Sequence, residues 1–304
     1  MYKPTVNILL STYNGEKYIV EQIDSILRQK GINLLLTIRD DGSKDRTYEI
    51  VSNYQRDYPD KIHLYKGDNI GFANSFYDLL KNASCCEYYG FADQDDIWDE
   101  DKIINAINKL QCNEPMLYGS NLKAFNMVDG TNYLVYPIKE KDSILSRINK
   151  YIFLSNPYGC TMVWNNMLQK ELLSLNKPDA LTHDVWVNLV ARCLGNVYFD
   201  YDQSFINYRI HGNNTCGATP HTLRGKIVKY YNFYFRDGKS LLTSDVCSVI
   251  CQQYPNKAQK IDYVLSQYSE TIIKTFIAII EILRLELPLK NKLKFALLAI
   301  FRKL

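Results

Sequence analysis

Near its N-terminus the chain reads Val6-Asn7-Ile8-Leu9-Leu10-Ser11-Thr12-Tyr13-Asn14. Residues 6–10 form a short, largely apolar run, and the polar residues that follow it, up to Gly15, are typical of a loop. This pattern predicts a buried β-strand that opens directly into a polar loop.

The same unit, a buried strand followed by a helix, repeats through about residue 110. The later strands are predicted at residues 34–38, 61–65 and 88–92. The helices are predicted from their apolar spacing at residues 16–29, 45–58 and 72–82. Because helices of crossover length separate the strands, we expect an α/β fold with a mostly parallel sheet and helices on both faces.

Polar clusters follow three of these strands. They are Ser11-Thr12-Tyr13-Asn14, Asp40-Asp41-Gly42-Ser43 and Asp93-Gln94-Asp95-Asp96. In sheets of this class, ligands bind outside the carboxyl ends of the strands. Three separate strands therefore direct polar loops toward one edge of the sheet, and this convergence predicts a ligand site there.

The loop Asp93-Gln94-Asp95-Asp96 holds three carboxylates in four residues, which repel one another unless a cation or solvent lies between them. Carboxylate oxygens suit hard divalent ions such as Mg²⁺ or Mn²⁺, and Mg²⁺ in proteins is usually shared with substrate phosphates. The loop therefore predicts a site for a metal and a diphosphate. The alternative is a solvated acidic turn that precedes a helix after Trp98.

The loop Asp40-Asp41-Gly42-Ser43 suits a nucleotide, because a carboxylate at a strand end can accept hydrogen bonds from a base N–H or a ribose hydroxyl. The alternative is an ordinary turn in which Ser43 or Asp45 caps the next helix. The sequence contains neither G-x-G-x-x-G nor G-x-x-x-x-G-K-[ST], so neither a Rossmann dehydrogenase nor a P-loop enzyme is predicted.

Taken in order, the three strand-end segments resemble the inverting family 2 glycosyltransferases of the GT-A fold, over residues from about 5 to 215. Two later segments resemble the rhamnosyltransferase-like branch of that family. They are Thr182-His183-Asp184-Val185-Trp186 and Tyr208-Arg209-Ile210-His211-Gly212-Asn213-Asn214. That branch uses dTDP-rhamnose or related donors in the assembly of cell-surface polysaccharides.

The resemblance implies which residues would bind the donor and a divalent metal, Mg²⁺ or Mn²⁺. Those for the nucleotide base and ribose are Ser11, Tyr13 and Asp41. Asp93 and Asp95 match the family's DxD pair, which binds the metal and the donor, with Asp95 as the direct metal ligand. His211 matches a C-terminal histidine that joins the metal–diphosphate site, and the alternative for it is a plain loop histidine.

Arg209 is expected to bind the donor diphosphate, because a guanidinium group forks onto phosphate oxygens. The alternative for Arg209 is a surface ion pair. Gly159 stands where the family places a glycine loop near the acceptor.

Asp184 matches the catalytic base at the end of the family's xED motif, and His183 replaces the usual glutamate of that motif. Inversion needs one base to deprotonate the acceptor hydroxyl, and a metal can neutralise the leaving diphosphate. One carboxylate and one metal site are therefore sufficient. The alternative for Asp184 is a charge at a helix terminus without a catalytic role.

Beyond about residue 115 the pattern is less regular. A turn is predicted at Asn156-Pro157-Tyr158-Gly159, a helix at residues 183–194 with Thr182 as its N-cap, and a short strand at residues 197–200. Residues 208–214 are polar and contain a glycine, so they are predicted to form a loop.

Two domains are expected. Residues 1–220 would form the GT-A catalytic domain, with a nucleotide-sugar half at about residues 1–115 and an acceptor half at about 116–220, and residues 221–304 a helical C-terminal extension. Residues 289–304 carry five cations and no acid among large apolar side chains, which is typical of a helix in a membrane interface. The alternative is a helical pair that packs on the catalytic domain or on a second subunit.

The 304-residue chain has a formal net charge of +3, too small to predict nucleic-acid binding. None of its eight cysteines forms a C-x-x-C pair, so all are expected to be reduced thiols. Residues 1–4 offer no signal peptide, and no apolar run reaches the roughly 20 residues of a spanning helix. We therefore expect a cytoplasmic protein, peripheral on the cytoplasmic face of the membrane if residues 289–304 bind lipid.

The predicted function is transfer of a sugar, L-rhamnose or another, from a nucleotide-diphospho-sugar to a saccharide or lipid-linked acceptor. A nucleotidyltransferase that makes nucleotide sugars is one alternative. That class generally has a glycine- and basic-rich loop after the first strand, and here residues 11–16 contain no arginine. A catalytically inactive scaffold of the same fold is the other alternative, and absent aspartates would favour it, but the aspartates are all present.

Overall fold

A computed structural model describes residues 2–110, 113–127, 129–135, 157–179, 181–211 and 254–257. The chain divides into two compact units, Met1–Ile138 with Pro157–Pro220, and Lys139–Asn156 with His221–Leu304. The short 3-10 helix Pro255–Lys257 belongs to the second unit, and every element below belongs to the first. Most of the predicted C-terminal extension, including residues 289–304, lies outside the described residues, and the domain boundary at residue 220 stays a prediction.

The first half of the first unit alternates strands and helices, as the sequence predicts. Its elements are β1 (Thr5–Thr12), α1 (Ile19–Leu27), β2 (Asn33–Asp40), α2 (Thr47–Asp57), β3 (Ile62–Lys66), α3 (Phe72–Lys81) and β4 (Tyr88–Ala92). β1 lies between β2 and β4, β3 lies outside β2, and all three pairings are parallel. Val6, Ile8, Leu9 and Leu10 of β1 are fully buried, as expected for a strand covered on both faces.

The second half adds antiparallel strands, so the whole sheet is mixed. Its elements are β5 (Ile97–Trp98), α4 (Lys102–Ile107), β6 (Met116–Asn126), β7 (Asn132–Leu134), a 3-10 turn (Gly159–Thr161), β8 (Val163–Asn165), α5 (Asn166–Ser174), α6 (His183–Leu194) and β9 (Asn196–Ile210). In the part of the chain described, the strand order is β3-β2-β1-β4-β8-β6-β9-β5, with β7 paired to β6. The pairs β4–β8, β6–β8, β6–β7 and β5–β9 are antiparallel.

The segment predicted as a loop at residues 208–214 corrects the sequence interpretation. Tyr208, Arg209 and Ile210 are the last residues of β9, which runs for 15 residues instead of the four predicted at residues 197–200. β9 pairs in parallel with β6 from Asn196 to Ile210, with two register shifts, and places Tyr208 opposite Ala124 and Arg209 opposite Phe125. Pairing with a strand more than 80 residues away stabilises a polar segment that has no strong strand pattern of its own.

Helix α6 begins and ends where it was predicted. Thr182 has the extended backbone of an N-cap residue, but its side chain makes no capping hydrogen bond. Within the described ranges, no helix is long and apolar enough to span a membrane.

Candidate active site

The carboxyl ends of β1, β2 and β4 meet at one edge of the sheet. In the parallel register Thr12 of β1 lies opposite Asp40 of β2, and Leu10 of β1 lies opposite Ala92 of β4. The three polar loops that follow these strands therefore start side by side, as the sequence predicts. We call residues 12–16, 40–43 and 93–96 the first, second and third loops.

The first loop is hydrogen-bonded to the second loop and to the start of α2. The backbone N–H of Asn14 donates to Ser43 Oγ over 2.9 Å, and the N–H of Lys44 donates to Asn14 Oδ1 over 2.8 Å. The N–H of Gly15 donates to Thr47 Oγ1 over 2.8 Å. Tyr13 in this loop is 39% exposed, so its ring is accessible for a ligand.

Asp41 is almost completely buried, and the protein supplies its partners. Its carboxylate forms an ion pair with Arg39 and accepts hydrogen bonds from the N–H groups of Ile70 and Gly71, each over 3.0 Å. Asp41 thereby fixes the residues that lead into α3. Its contact with the nucleotide stays a prediction. Such a contact would use the lone pairs of the Asp41 carboxylate that these partners do not occupy.

Arg39, near the end of β2, is a buried residue to which the sequence interpretation assigns no role. Its guanidinium also contacts Asp78 at 3.2 Å, Ser75 Oγ at 3.1 Å and the carbonyl of Asp68 at 3.0 Å. Ser75 in turn shares a hydrogen bond of 2.6 Å with Ser11. A basic residue beside an aspartate pair at a strand end is the signal that could have identified this network.

The third loop concentrates negative charge. Burial, together with the charges of Asp95 and Asp184, raises the pKa of Asp93 to about 7. Burial and the charges of Asp93 and Asp95 raise the pKa of Asp96 well above its usual value. These carboxylates therefore repel one another, as the sequence predicts, and Asp184 contributes to the same field.

Lys102 is a buried residue close enough to Asp96 for the two charges to interact. Its ammonium lies 3.7 Å from the centre of the Trp98 ring and finds no hydrogen-bond partner among the described residues. Burial lowers the pKa of Lys102 to about 7, although the charges of Cys160 and Asp96 act in the opposite direction. Lys102 therefore offsets the acidic charge only in part.

Two groups of possible metal-ligand atoms occur at the third loop. Asp93, Asp96 and Cys160 offer ligand atoms that all lie within 4.8 Å of one another, but a thiol is a poor ligand for Mg²⁺ or Mn²⁺. Oδ2 of Asp95, by contrast, lies 2.8 Å from Nε2 of His211. A carboxylate oxygen and an imidazole nitrogen both suit such an ion, and a site that they share with Asp93 stays a prediction.

The end of β9 is attached to the third loop by Arg209. The backbone N–H of Arg209 donates to Asp96 Oδ1 over 3.3 Å, and its Nε donates to the carbonyl of Asp95 over 3.0 Å. The guanidinium also pairs with Glu21 at 2.8 Å and lies over the Tyr18 ring. These contacts make Arg209 a buried anchor of the third loop, and its predicted contact with the diphosphate stays a prediction.

Asp184 is the second residue of α6, and its Oδ1 accepts a hydrogen bond from the N–H of Val185 over 2.9 Å. A Cβ placed on Gly159 would lie 3.6 Å from Cβ of Asp184 and only 2.8 Å from Nε2 of His183. Only glycine allows this close approach. Gly159 and Asp184 are therefore neighbours, and their assignment to the acceptor side of the site stays a prediction.

His183 lies in an aromatic box that the sequence analysis missed. Its ring stacks on Phe76 with centroids 4.2 Å apart, and the Phe91 and Phe72 rings approach edge-on at 4.8 Å and 6.2 Å. Burial lowers the pKa of His183 to about 4, although the charge of Asp184 acts in the opposite direction. The side chain that replaces the family's glutamate is therefore neutral at neutral pH.

Comparisons with known proteins agree with this geometry. The family described as glycosyl transferase family 2 matches residues 7–174. The dTDP-rhamnosyl transferase RfbG of Shigella flexneri is 33% identical over 223 residues, which cover 69% of this chain and 74% of that protein.

Two solved structures share the fold. The S. aureus TarS fragment in complex with UDP-GlcNAc has a TM-score of 0.56 at 18% identity, covering 87% of this chain and 71% of that chain. The mannosyltransferase PcManGT from Pyrobaculum calidifontis, in complex with GDP-Man and Mn²⁺, has a TM-score of 0.53 at 15% identity, covering 99% and 86%. These similarities confirm the predicted GT-A fold. The sequence matches, which span more than half of the chain, show that this protein belongs to glycosyl transferase family 2 and is a glycosyltransferase.

Proposed function

We propose that this glycosyltransferase inverts the anomeric carbon of a nucleotide-diphospho-sugar, with Asp184 as the base that activates the acceptor hydroxyl. One observation carries the proposal. The 3-10 turn links Asp184 to the third loop: a Cβ on Gly159 would lie 3.6 Å from Cβ of Asp184, and the ligand atom of the next residue, Cys160, lies within 4.8 Å of those of Asp93 and Asp96. A base and a cluster of carboxylates suited to a metal–diphosphate thus share one site, although about 90 residues separate them in sequence.

The chemistry needs one proton transfer on the protein side. The acceptor hydroxyl gives its proton to a carboxylate oxygen of Asp184 as the hydroxyl oxygen bonds to the anomeric carbon. The bond between that carbon and the diphosphate oxygen breaks, and its electron pair goes to the diphosphate. His183 beside Asp184 is neutral, so it places no positive charge next to the carboxylate that accepts the proton.

Asp93, Asp95 and His211 would hold a divalent metal, Mg²⁺ or Mn²⁺. When bound, such an ion neutralises the charge that develops on the leaving diphosphate. The distance of 2.8 Å between Asp95 and His211, and the carboxylate charges that contribute to the raised pKa of Asp93, support this assignment. The nucleoside would contact Ser11, Tyr13 and Asp41. The donor diphosphate would contact Arg209.

For the transferred sugar we propose L-rhamnose from a dTDP donor, in the synthesis of a cell-surface polysaccharide. The support is the 33% identity to a relative described as a dTDP-rhamnosyl transferase. A saccharide or lipid-linked acceptor on the cytoplasmic face of the membrane would agree with the basic, apolar sequence of residues 289–304. Family membership favours this function over the nucleotidyltransferase alternative.

The test is a transfer and hydrolysis assay with dTDP-, UDP- and GDP-sugars, run on the wild type and on Asp184→Asn. The variant should lose about 10³-fold in turnover, because general base catalysis contributes roughly 10²–10⁴-fold. Donor affinity, measured by calorimetry, should stay within about twofold, since the base faces the acceptor.

Asp57→Asn is the matched control, because Asp57 is an exposed acid at the end of α2. It should retain wild-type turnover. Loss of donor affinity in Asp184→Asn in proportion to its loss of turnover would refute the role of Asp184 as a base.

A further inference from the structure

Gln94 lies between the two carboxylates of the third loop that we assign to the metal, and its side chain reaches the first loop. We propose that Gln94 is a positioning residue that couples the two loops, so that a nucleoside and a divalent metal bind cooperatively. This inference rests on the proposed function, because it takes the first loop as the nucleoside side and the third loop as the metal side.

Three hydrogen bonds join the Gln94 amide to the first loop. Its Oε1 accepts from Thr12 Oγ1 over 2.8 Å and from the backbone N–H of Tyr13 over 2.9 Å. Its Nε2 donates to the carbonyl of Tyr13 over 3.1 Å. The amide therefore contacts both backbone polar groups of Tyr13, the exposed residue predicted to contact the nucleoside.

Gly15 shows how closely the two loops approach. A Cβ on Gly15 would lie 2.2 Å from Oε1 of Gln94 and 2.6 Å from its Cδ, so no larger residue fits while the amide is in place. The carbonyl of Gly15 also accepts from the N–H groups of Tyr18 and Ile19 at the start of α1. The first loop is therefore held between α1 and the Gln94 amide.

The other end of the third loop is anchored separately. The carbonyl of Asp95 accepts from Nε of Arg209, and Oδ2 of Asp95 contacts His211. Gln94 is therefore the link, among the contacts described, through which the backbone between Asp93 and Asp95 is tied to Tyr13. A ligand that fixes Tyr13 fixes the Gln94 amide, and with it the backbone that carries the metal carboxylates.

Such a link has a measurable consequence that a merely structural hydrogen bond lacks. If one ligand favours the loop arrangement that binds the other, each ligand must tighten the binding of the other by the same factor. A purely structural Gln94 would change stability, or both affinities, without producing a coupling factor.

The experiment measures Mn²⁺ binding by water-proton relaxation, and nucleoside binding by calorimetry, each with and without the other ligand. Thymidine and uridine are the probes, because a nucleoside without phosphate offers the metal no diphosphate ligand. In the wild type, whichever nucleoside binds should, at saturation, tighten Mn²⁺ binding at least about fivefold. That factor is the lower end of typical coupling between two sites. Mn²⁺ should tighten the binding of that nucleoside by the same factor.

Gln94→Met retains the length of the side chain but removes all three hydrogen bonds, so its coupling factor should fall to about 1. Gln94→Glu is a second variant, which keeps both acceptor contacts and loses the donor. Its added charge changes both Mn²⁺ affinities alike and cancels in the ratio, so its factor should lie between those of the wild type and Gln94→Met.

Ser43→Ala is the matched control, because it removes the hydrogen bond between the first and second loops and leaves Gln94 intact. It should weaken nucleoside binding but keep the wild-type coupling factor. Loss of the factor in this control, or a wild-type factor in Gln94→Met, would overturn the role of Gln94.

The outcomes also separate this inference from the proposed function. A wild type that binds both ligands with a factor of 1 refutes the coupling and leaves the glycosyltransferase site intact. A wild type that binds neither Mn²⁺ nor any nucleoside, with or without the other, refutes both.

Discussion

The second and third loops both place aspartates at strand ends, but the protein treats their charges in opposite ways. In the second loop, the Asp41 carboxylate forms an ion pair with a buried guanidinium and accepts hydrogen bonds from two backbone N–H groups. In the third loop, Asp93 has a pKa raised to about 7 by burial and by neighbouring carboxylates. Folding completes the environment of the second loop, whereas in the described residues the third loop keeps carboxylates with raised pKa values, which a bound cation would lower.

The difference lies in where the cations are. Arg39 is buried against Asp41 and Asp78, so the second loop has a fixed positive partner. Two buried cations lie near the third loop: Arg209, whose guanidinium contacts Glu21 and the carbonyl of Asp95, and Lys102, whose pKa burial lowers to about 7. We infer that the second loop is a rigid wall of the site, and that the third loop is the part whose stability depends on what is bound.

The largest expected effect is on turnover, in the third loop. Asp95→Asn should reduce turnover at least about 10²-fold, because it removes the carboxylate assigned as direct metal ligand, and EDTA should inactivate the wild type. The unfolding midpoint should stay close to the wild-type value, since removing a like charge relieves repulsion. Steady-state kinetics with thermal denaturation would check both.

Glu100→Gln is the control for Asp95→Asn. Glu100, five residues after Asp95, is an acid on the surface that pairs with Lys30. It should retain wild-type activity. Full activity of the wild type in EDTA would remove the metal from the third loop and with it the contrast between the loops.

The next effect is on stability, in the second loop. Asp41→Asn should lower the free energy of unfolding by about 3 kcal/mol, because it leaves the buried Arg39 with less compensation. Urea denaturation measures the change. Asp78→Asn is the matched control, since Asp78 pairs with the same guanidinium but is 32% exposed, and it should cost clearly less.

An Asp41→Asn variant of wild-type stability that loses nucleotide affinity would reverse the comparison. The second loop would then be a ligand site, and not a wall completed by folding.

The smallest effect is a dependence of stability on pH in metal-free protein. The pKa of Asp93 is about 7 in the folded state and about 3.9 in the unfolded state, so its stabilising contribution is present below pH 4 and is lost as the pH rises to 7. The wild type should therefore lose unfolding free energy over this range relative to Asp93→Asn, and the two pKa values set an upper limit of about 4 kcal/mol on the loss.

Thermal unfolding in EDTA across pH 4 to 8 measures this difference, and Mn²⁺ should reduce it at high pH by binding the ionised carboxylates. Parallel pH curves for the two proteins would show that the third loop, like the second, is neutralised by the protein itself.

Much of the first half could be predicted from the sequence. The alternation of apolar runs and amphipathic helices, the polar strand ends and the acidic cluster are local features. They placed β1 to β4, and they placed the three loops together at one edge. The bounds of helix α6 also agree with the sequence prediction.

The tertiary structure alone decided what neutralises each charge. The second half of β9 is a strand because β6 pairs with it, and Gln94 reaches Tyr13 across 81 positions of sequence. Arg209 lies against Asp95 across 114 positions. Periodicity and composition report a residue's neighbours along the chain. The packing of the whole sheet determines which partners this distant meet. The sequence therefore predicts where a charged residue lies, but not which group compensates its charge.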